Sequence, residues 1–242
     1  MPAQSVKITS SAGGAFDCYV ALPADNAAVP AVVIASAVHG VDKDLRTIAD
    51  AFAAQGYIAA APDLFWRTLP GPLTRADGDK TTARSQPRAE KIKTGEADMA
   101  DTLAYLRTLK QFNGRAATLG FCYGGPYAIL GPKRLGYAAG ISCHGSRMQD
   151  TIGELDGVTT PVCIIWGDDD NQAPPDVLDM YRKVAARMSN VELHIFPGIK
   201  HGYMMPDAGA AYDPKTREFS MARALAILDG LRGGGERLRK AS

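Results

Sequence analysis

Gly120-Phe121-Cys122-Tyr123-Gly124-Gly125 carries the chain from an apolar, strand-like run directly into a helical pattern, with no polar loop between the two. The segment has the form of a nucleophile elbow. In such a turn the apex residue is strained and its neighbours must be almost free of side chain, which accounts for Gly120 and Gly124 two positions either side of Cys122. The apex side chain then stands at a helix N-terminus, where the dipole favours a thiolate and the Tyr123 N–H is aimed at an oxyanion. By composition alone, a buried strand cysteine before a Gly-rich helix start is the favoured reading, so the rest of the chain has to decide.

Outward from this turn, short apolar runs rich in β-branched residues alternate with longer helical patterns, as in a mostly parallel sheet with helices on both faces. Strands are expected at Phe16–Leu22, Pro30–Ala37, Tyr57–Ala61, Ala116–Phe121, Ala138–Cys143, Val162–Trp166 and Val191–Phe196. Helices are expected near Lys43–Gln55, Gly95–Lys110, Tyr123–Lys133, Pro175–Met188 and Thr216–Leu231. Met99, Leu103, Leu106 and Leu109 give the second helix one apolar face, and Asn113-Gly114 offers a turn after it. Arg67 to Lys93, with scattered Pro, Gly and charge, reads as a long surface excursion of the kind that forms lids. Residues 233–242 read as a frayed basic tail.

The chain has 242 residues, which suits one α/β domain over residues 1–242. Its 27 Lys+Arg against 26 Asp+Glu give a net charge of +1, which removes the electrostatic case for nucleic acid or an anionic membrane as partner. No apolar run reaches the roughly 18 residues of a membrane span, and Met1–Ser10 lacks the apolar core of a signal peptide. A cytoplasmic protein, monomeric or a small homo-oligomer, is therefore expected. Cys18, Cys122, Cys143 and Cys163 show no C-x-x-C spacing, so reduced thiols are expected rather than disulfides or a structural metal.

Two further loops carry chemistry. After the strand at Val162 comes Gly167-Asp168-Asp169-Asp170-Asn171-Gln172-Ala173-Pro174, where three adjacent carboxylates make an acid, a solvated turn or a weak cation site. After the strand at Val191 comes Pro197-Gly198-Ile199-Lys200-His201-Gly202-Tyr203, where a loop histidine has no packing reason to exist. Nucleophile, acid and histidine thus follow the chain order of α/β-hydrolases, each after a strand. His39 and His144 follow earlier strands and should border the same pocket, whereas His194 lies within a strand. Cys143 beside His144 is a weaker rival to Cys122, because adjacent strand residues face opposite ways.

These motifs, with Ala59-Ala60-Ala61-Pro62-Asp63-Leu64-Phe65 and Gly40-Val41 followed by Arg46, make the chain resemble the dienelactone hydrolases over nearly its whole length. The resemblance implies an eight-stranded, mostly parallel α/β-hydrolase fold and a triad that cleaves small esters or lactones through a thioester, with no metal and no cofactor. It puts the nucleophile on Cys122, the base on His201 and the acid on Asp170, with Asp169 as the fallback. The oxyanion hole falls on the N–H groups of Val38 and Tyr123. Where the family has a Glu that meets the resting thiol this chain has Ala37, and where it has a substrate-binding Arg this chain has Met205 or Met204. An apolar Met cannot pair a carboxylate, so a more apolar substrate than dienelactone is expected. Ala37, His39, His144, Tyr203 and Met205 are the expected substrate contacts, with Arg84 and Arg88 as substitute positive charges. The competing class is a scaffold that binds a small molecule without turnover. A redox or peptidase role for Cys122 is weaker, since no resolving cysteine stands beside it in sequence.

Overall fold

Val29–Ala35 (β3) is VPAVVIA and every one of its residues is buried. Such a run suits a central strand covered on both faces. In the computed structural model of the protein, which describes residues 3–172 and 176–233, this strand sits in an eight-stranded sheet. The others are β1 (Ala3–Thr9), β2 (Ala15–Ala21), β4 (Ile58–Pro62), β5 (Phe112–Phe121), β6 (Ala139–Cys143), β7 (Val162–Gly167) and β8 (Val191–Phe196). Their order is β1-β2-β4-β3-β5-β6-β7-β8. β2 is antiparallel to both its neighbours, and every pairing from β4 to β8 is parallel. Helices α1 (Lys43–Ala54), α2 (Gly78–Ser85), α3 (Arg88–Leu106), α4 (Tyr127–Leu130), α5 (Asp176–Arg187) and α6 (Pro214–Arg232) complete the fold. One apolar cluster packs α1 and α6 on one face; α3 and α4 residues join the cluster on the other.

Five sequence expectations need correction. β1 was not foreseen: of its seven residues only Ile8 is buried, so an edge strand paired on one side leaves no apolar run to read. The stretch from Arg67 to Lys93 is not a bare loop, because it holds α2 and the first turns of α3. α3 starts seven residues before Gly95, which lies inside it because Tyr127 packs there: a Cβ at Gly95 would come within 2.1 Å of the Tyr127 hydroxyl. The helix expected from Tyr123 to Lys133 is broken into a 3-10 turn at Cys122–Gly124, the single α turn of α4 and a π turn at Gly131–Leu135. Pro126 and Pro132 interrupt it, and Gly131 closes onto Thr118 of β5. Asn113-Gly114 lies within β5 rather than before it, the strand having begun at Phe112. The basic tail, beyond Gly233, lies outside the described residues, as does Pro174.

The start of the excursion is anchored on α3. The Asp98 carboxylate is fully buried and accepts from both nitrogens of Arg67 at 2.6 and 3.0 Å, from Trp66 Nε1 at 3.0 Å and from Ser10 Oγ at 3.1 Å. A buried carboxylate so fully partnered locks the hairpin turn after β1, the excursion and α3 into one unit.

Candidate active site

Sheet register alone brings five loops together at one edge. Ala35 pairs with Gly120, Phe121 with Cys143, Cys143 with Ile165 and Gly167 with Phe196. The segments just past these residues hold Val38, Cys122, His144, Asp170 and His201, the crevice at the carboxyl ends of parallel strands where open α/β sheets bind ligands.

The turn at Cys122 has the strain expected of it. Cys122 sits at φ +49°, a left-handed conformation that costs a non-glycine residue energy. Its carbonyl is fixed by the N–H groups of Gly125 (3.0 Å) and Ser146 (2.9 Å). A Cβ at Gly120 would lie 2.2 Å from the Gly124 carbonyl oxygen, and one at Gly124 would lie 2.2 Å from that of Ala35. Both flanking positions therefore have to be glycine for the turn to close.

The three aspartates divide their work. Asp168 is exposed and its carboxylate accepts the Gly198 N–H at 2.6 Å; Asp169 offers its own N–H to the Ile199 carbonyl at 3.2 Å and leaves its side chain outside. Only the buried Asp170 faces the histidine, its oxygens 2.8 and 3.0 Å from His201 Nδ1. Gly167 lets the two loops touch, since a Cβ there would stand 2.0 Å from the Ile199 carbonyl oxygen. With Nδ1 held by the carboxylate, His201 Nε2 is left buried and without a hydrogen-bond partner.

The thiol beside it is unlike the other three. Burial pushes the thiols of Cys18, Cys143 and Cys163 upward, that of Cys143 to about 12. Burial raises Cys122 as well, yet the charge of His201, the Ser146 hydroxyl and Arg88 outweigh it and bring the thiol down to about 7. In return His201 is raised: burial disfavours its charged form, but Cys122 and Asp170 together more than offset that. The pair is disposed to rest as thiolate and imidazolium. The thiol's near neighbour is Ser146 Oγ, at 3.8 Å.

The remaining expected residues fall in three groups. His144 is fully buried at φ +42°, its ring 4.9 Å from that of His201 and neither ring nitrogen hydrogen-bonded; burial holds it neutral. Ala37, Val38 and His39 form the half-buried loop after β3, with burial and Arg75 pushing His39 down to about 4. Tyr203 and Met205 are buried in the core beneath, Tyr203 with its hydroxyl on Ser220 Oγ at 2.9 Å and its ring against His144, so neither reaches the thiol as a substrate contact. Arg84 is not an exposed loop cation. It is buried over Phe65 and donates to the carbonyls of Leu69, Gly71 (2.6 Å) and Val38 (3.3 Å), clamping the excursion onto the loop after β3. Arg88 is half-buried and bonds backbone near Cys122.

Two features went unread in the sequence. Ser146 meets the thiol, a contact that only the β5–β6 register reveals. Cys163, Glu192 and His194 bring potential metal ligands within 4.8 Å of one another on adjacent strands β7 and β8. There Glu192 is already held by Arg223 at 2.7 and 2.8 Å. No helix among the described residues is long and apolar enough to cross a membrane.

The sequence profile of the dienelactone hydrolase family matches residues 16–231. A carboxymethylenebutenolidase of Cupriavidus pinatubonensis is 26% identical, the match covering 94% of this chain and 97% of that one. Among solved structures, a dienelactone hydrolase-like promiscuous phosphotriesterase from metagenomic libraries superposes with a TM-score of 0.77 at 19% identity, covering 96% and 99% of the two chains. A dienelactone hydrolase of Anabaena variabilis gives 0.67 at 15% identity, over 96% and 98%. An elbow cysteine, an aspartate-held histidine and an eight-stranded α/β-hydrolase sheet, matched along most of the chain by one family's profile, place this protein in the dienelactone hydrolase family.

Proposed function

We propose that this carboxylic ester hydrolase cleaves a small ester or lactone through a thioester on Cys122, with His201 as acid and base and Asp170 holding its tautomer. The observation that carries the reading is His201: Nδ1 bound by a buried carboxylate, Nε2 free of partners, and a lowered thiol beside it. The Cys122 thiolate attacks the carbonyl carbon, and the N–H groups of Val38 and Tyr123 receive the oxyanion. Collapse breaks the C–O bond while the imidazolium gives its proton to the leaving alkoxide, which in a lactone stays tethered to the acyl group.

Acylation removes the thiolate, the strongest influence keeping a proton on His201. The neutral ring then takes a proton from water as that water attacks the thioester, and the expelled thiolate restores the resting pair. The substrate's acyl part is small and carries no carboxylate needing an arginine from below, since Met204 and Met205 lie in the core and Arg84 is spent on three carbonyls.

The test is the time course of p-nitrophenol release from p-nitrophenyl acetate, with dienelactone in parallel. Steady turnover by wild type, reduced in Cys122→Ala to the background rate, is the expected result. A single stoichiometric burst, or equal rates in both proteins, would overturn the reading in favour of a binding scaffold.

A further inference from the structure

Arg88 begins α3, far in sequence from any motif, yet one of its terminal nitrogens donates to two carbonyls at once, those of Tyr123 and Ser146, both at 2.9 Å. Tyr123 follows the nucleophile on the elbow; Ser146 is on the loop after β6 and holds its hydroxyl 3.8 Å from the Cys122 sulfur. The guanidinium also lies over the Tyr123 ring, 4.7 Å from its centre. Two successive carbonyls at the strained Cys122 are thus held, its own by Gly125 and Ser146 and the next by Arg88.

We propose that Arg88 is a positioning residue for Cys122, tying the elbow to the β6 loop so that the thiol faces the Ser146 hydroxyl and a fixed positive charge. This rests on the reading of Cys122 as nucleophile. The resting sulfur then lies beside a hydroxyl, with a cation held on the next carbonyl along the chain, a setting that suits the thiolate. A cation that donates to carbonyls keeps its full charge, because a carbonyl cannot neutralise it as a carboxylate would. The groups that face the sulfur are His201, Ser146 and Arg88, with Asp170 and His144 behind His201 and the Arg147–Asp150 pair beside Arg88.

The experiment is the pH profile of iodoacetamide alkylation at Cys122, read by peptide mass spectrometry on the full chain over about pH 5 to 9. Arg88→Gln keeps an N–H donor for the carbonyls and removes the charge, and below the midpoint it is expected to slow alkylation roughly threefold to tenfold. Arg88→Lys restores the charge and should stay within about twofold of wild type. A Gln variant that follows the wild-type profile, or a Lys variant slowed as much as Gln, overturns the proposal. Ser146→Ala leaves Arg88 and the carbonyl it holds in place and removes the hydroxyl. Slowing of about twofold or more supports the assignment, and a rate equal to wild type overturns it, even if Arg88→Gln fails to fold. Because alkylation needs no turnover, loss of the esterase reading through an active Cys122→Ala would be seen separately from any result at Arg88.

Discussion

On the proposed mechanism, the thiol–imidazole pair sets the pH at which the enzyme works. A thiol held near 7 ionises as pH rises through that value, so acylation rate should climb across it and level off above, where a cysteine at its ordinary value would still be climbing. The same ionisation should make Cys122 the first of the four cysteines to react with iodoacetamide at neutral pH, since burial pushes the other three up. Asp170→Asn keeps the shape but can present the wrong hydrogen-bonding partner to Nδ1. Its kcat should fall by about three to four orders of magnitude while the melting temperature changes little. The residue types in this site were legible from sequence because the chemistry requires them at strand ends in a set order. Burial and period do not separate Asp170 from Asp169 in the sequence, because the three adjacent side chains differ only in partners supplied by other loops, His201 for Asp170 and the Gly198 N–H for Asp168. Arg84 and Arg88 were legible as positive charges and illegible as carbonyl clamps, because nothing local marks an arginine whose partners lie dozens of residues away.

At the scale of elements, strands buried on both faces announced themselves as apolar runs, and β1 did not, being an edge. Helices with one apolar face were read to within a few residues, whereas the first turns of α3 were hidden by charge and the break after Cys122 by the prolines that cause it. The elbow is the element least open to change. Gly124→Ala would drive a methyl into the Ala35 carbonyl at 2.2 Å, and because that carbonyl is backbone at the buried end of β3 the turn cannot yield. A loss of about 3 kcal/mol or more in chemical denaturation is expected, together with loss of esterase activity. Stability within about 0.5 kcal/mol of wild type would show that the turn relaxes around the methyl.

Across the whole molecule, the excursion after β4 is bound at its two ends by different means. Asp98 anchors its start through Arg67 and Trp66, and Arg84 fastens its far side to the loop after β3. Arg84→Met should therefore free the middle while leaving the start docked. Limited trypsin digestion is expected to cut between residues 67 and 93 in this variant faster than in wild type, with oxyanion-loop disorder lowering kcat. An unchanged digestion pattern would mean that the clamp contributes nothing to closure. The two tryptophans of the chain give this architecture optical readouts. Trp66 has its N–H on the Asp98 carboxylate and Arg67 stacked 4.1 Å above its ring, while Trp166 is buried at the end of β7 against Tyr181, a few residues before Asp170. One indole emits from the anchor of the excursion and the other from beneath the acid loop, so single-tryptophan variants turn the fluorescence spectrum into separate gauges of the two halves of the site.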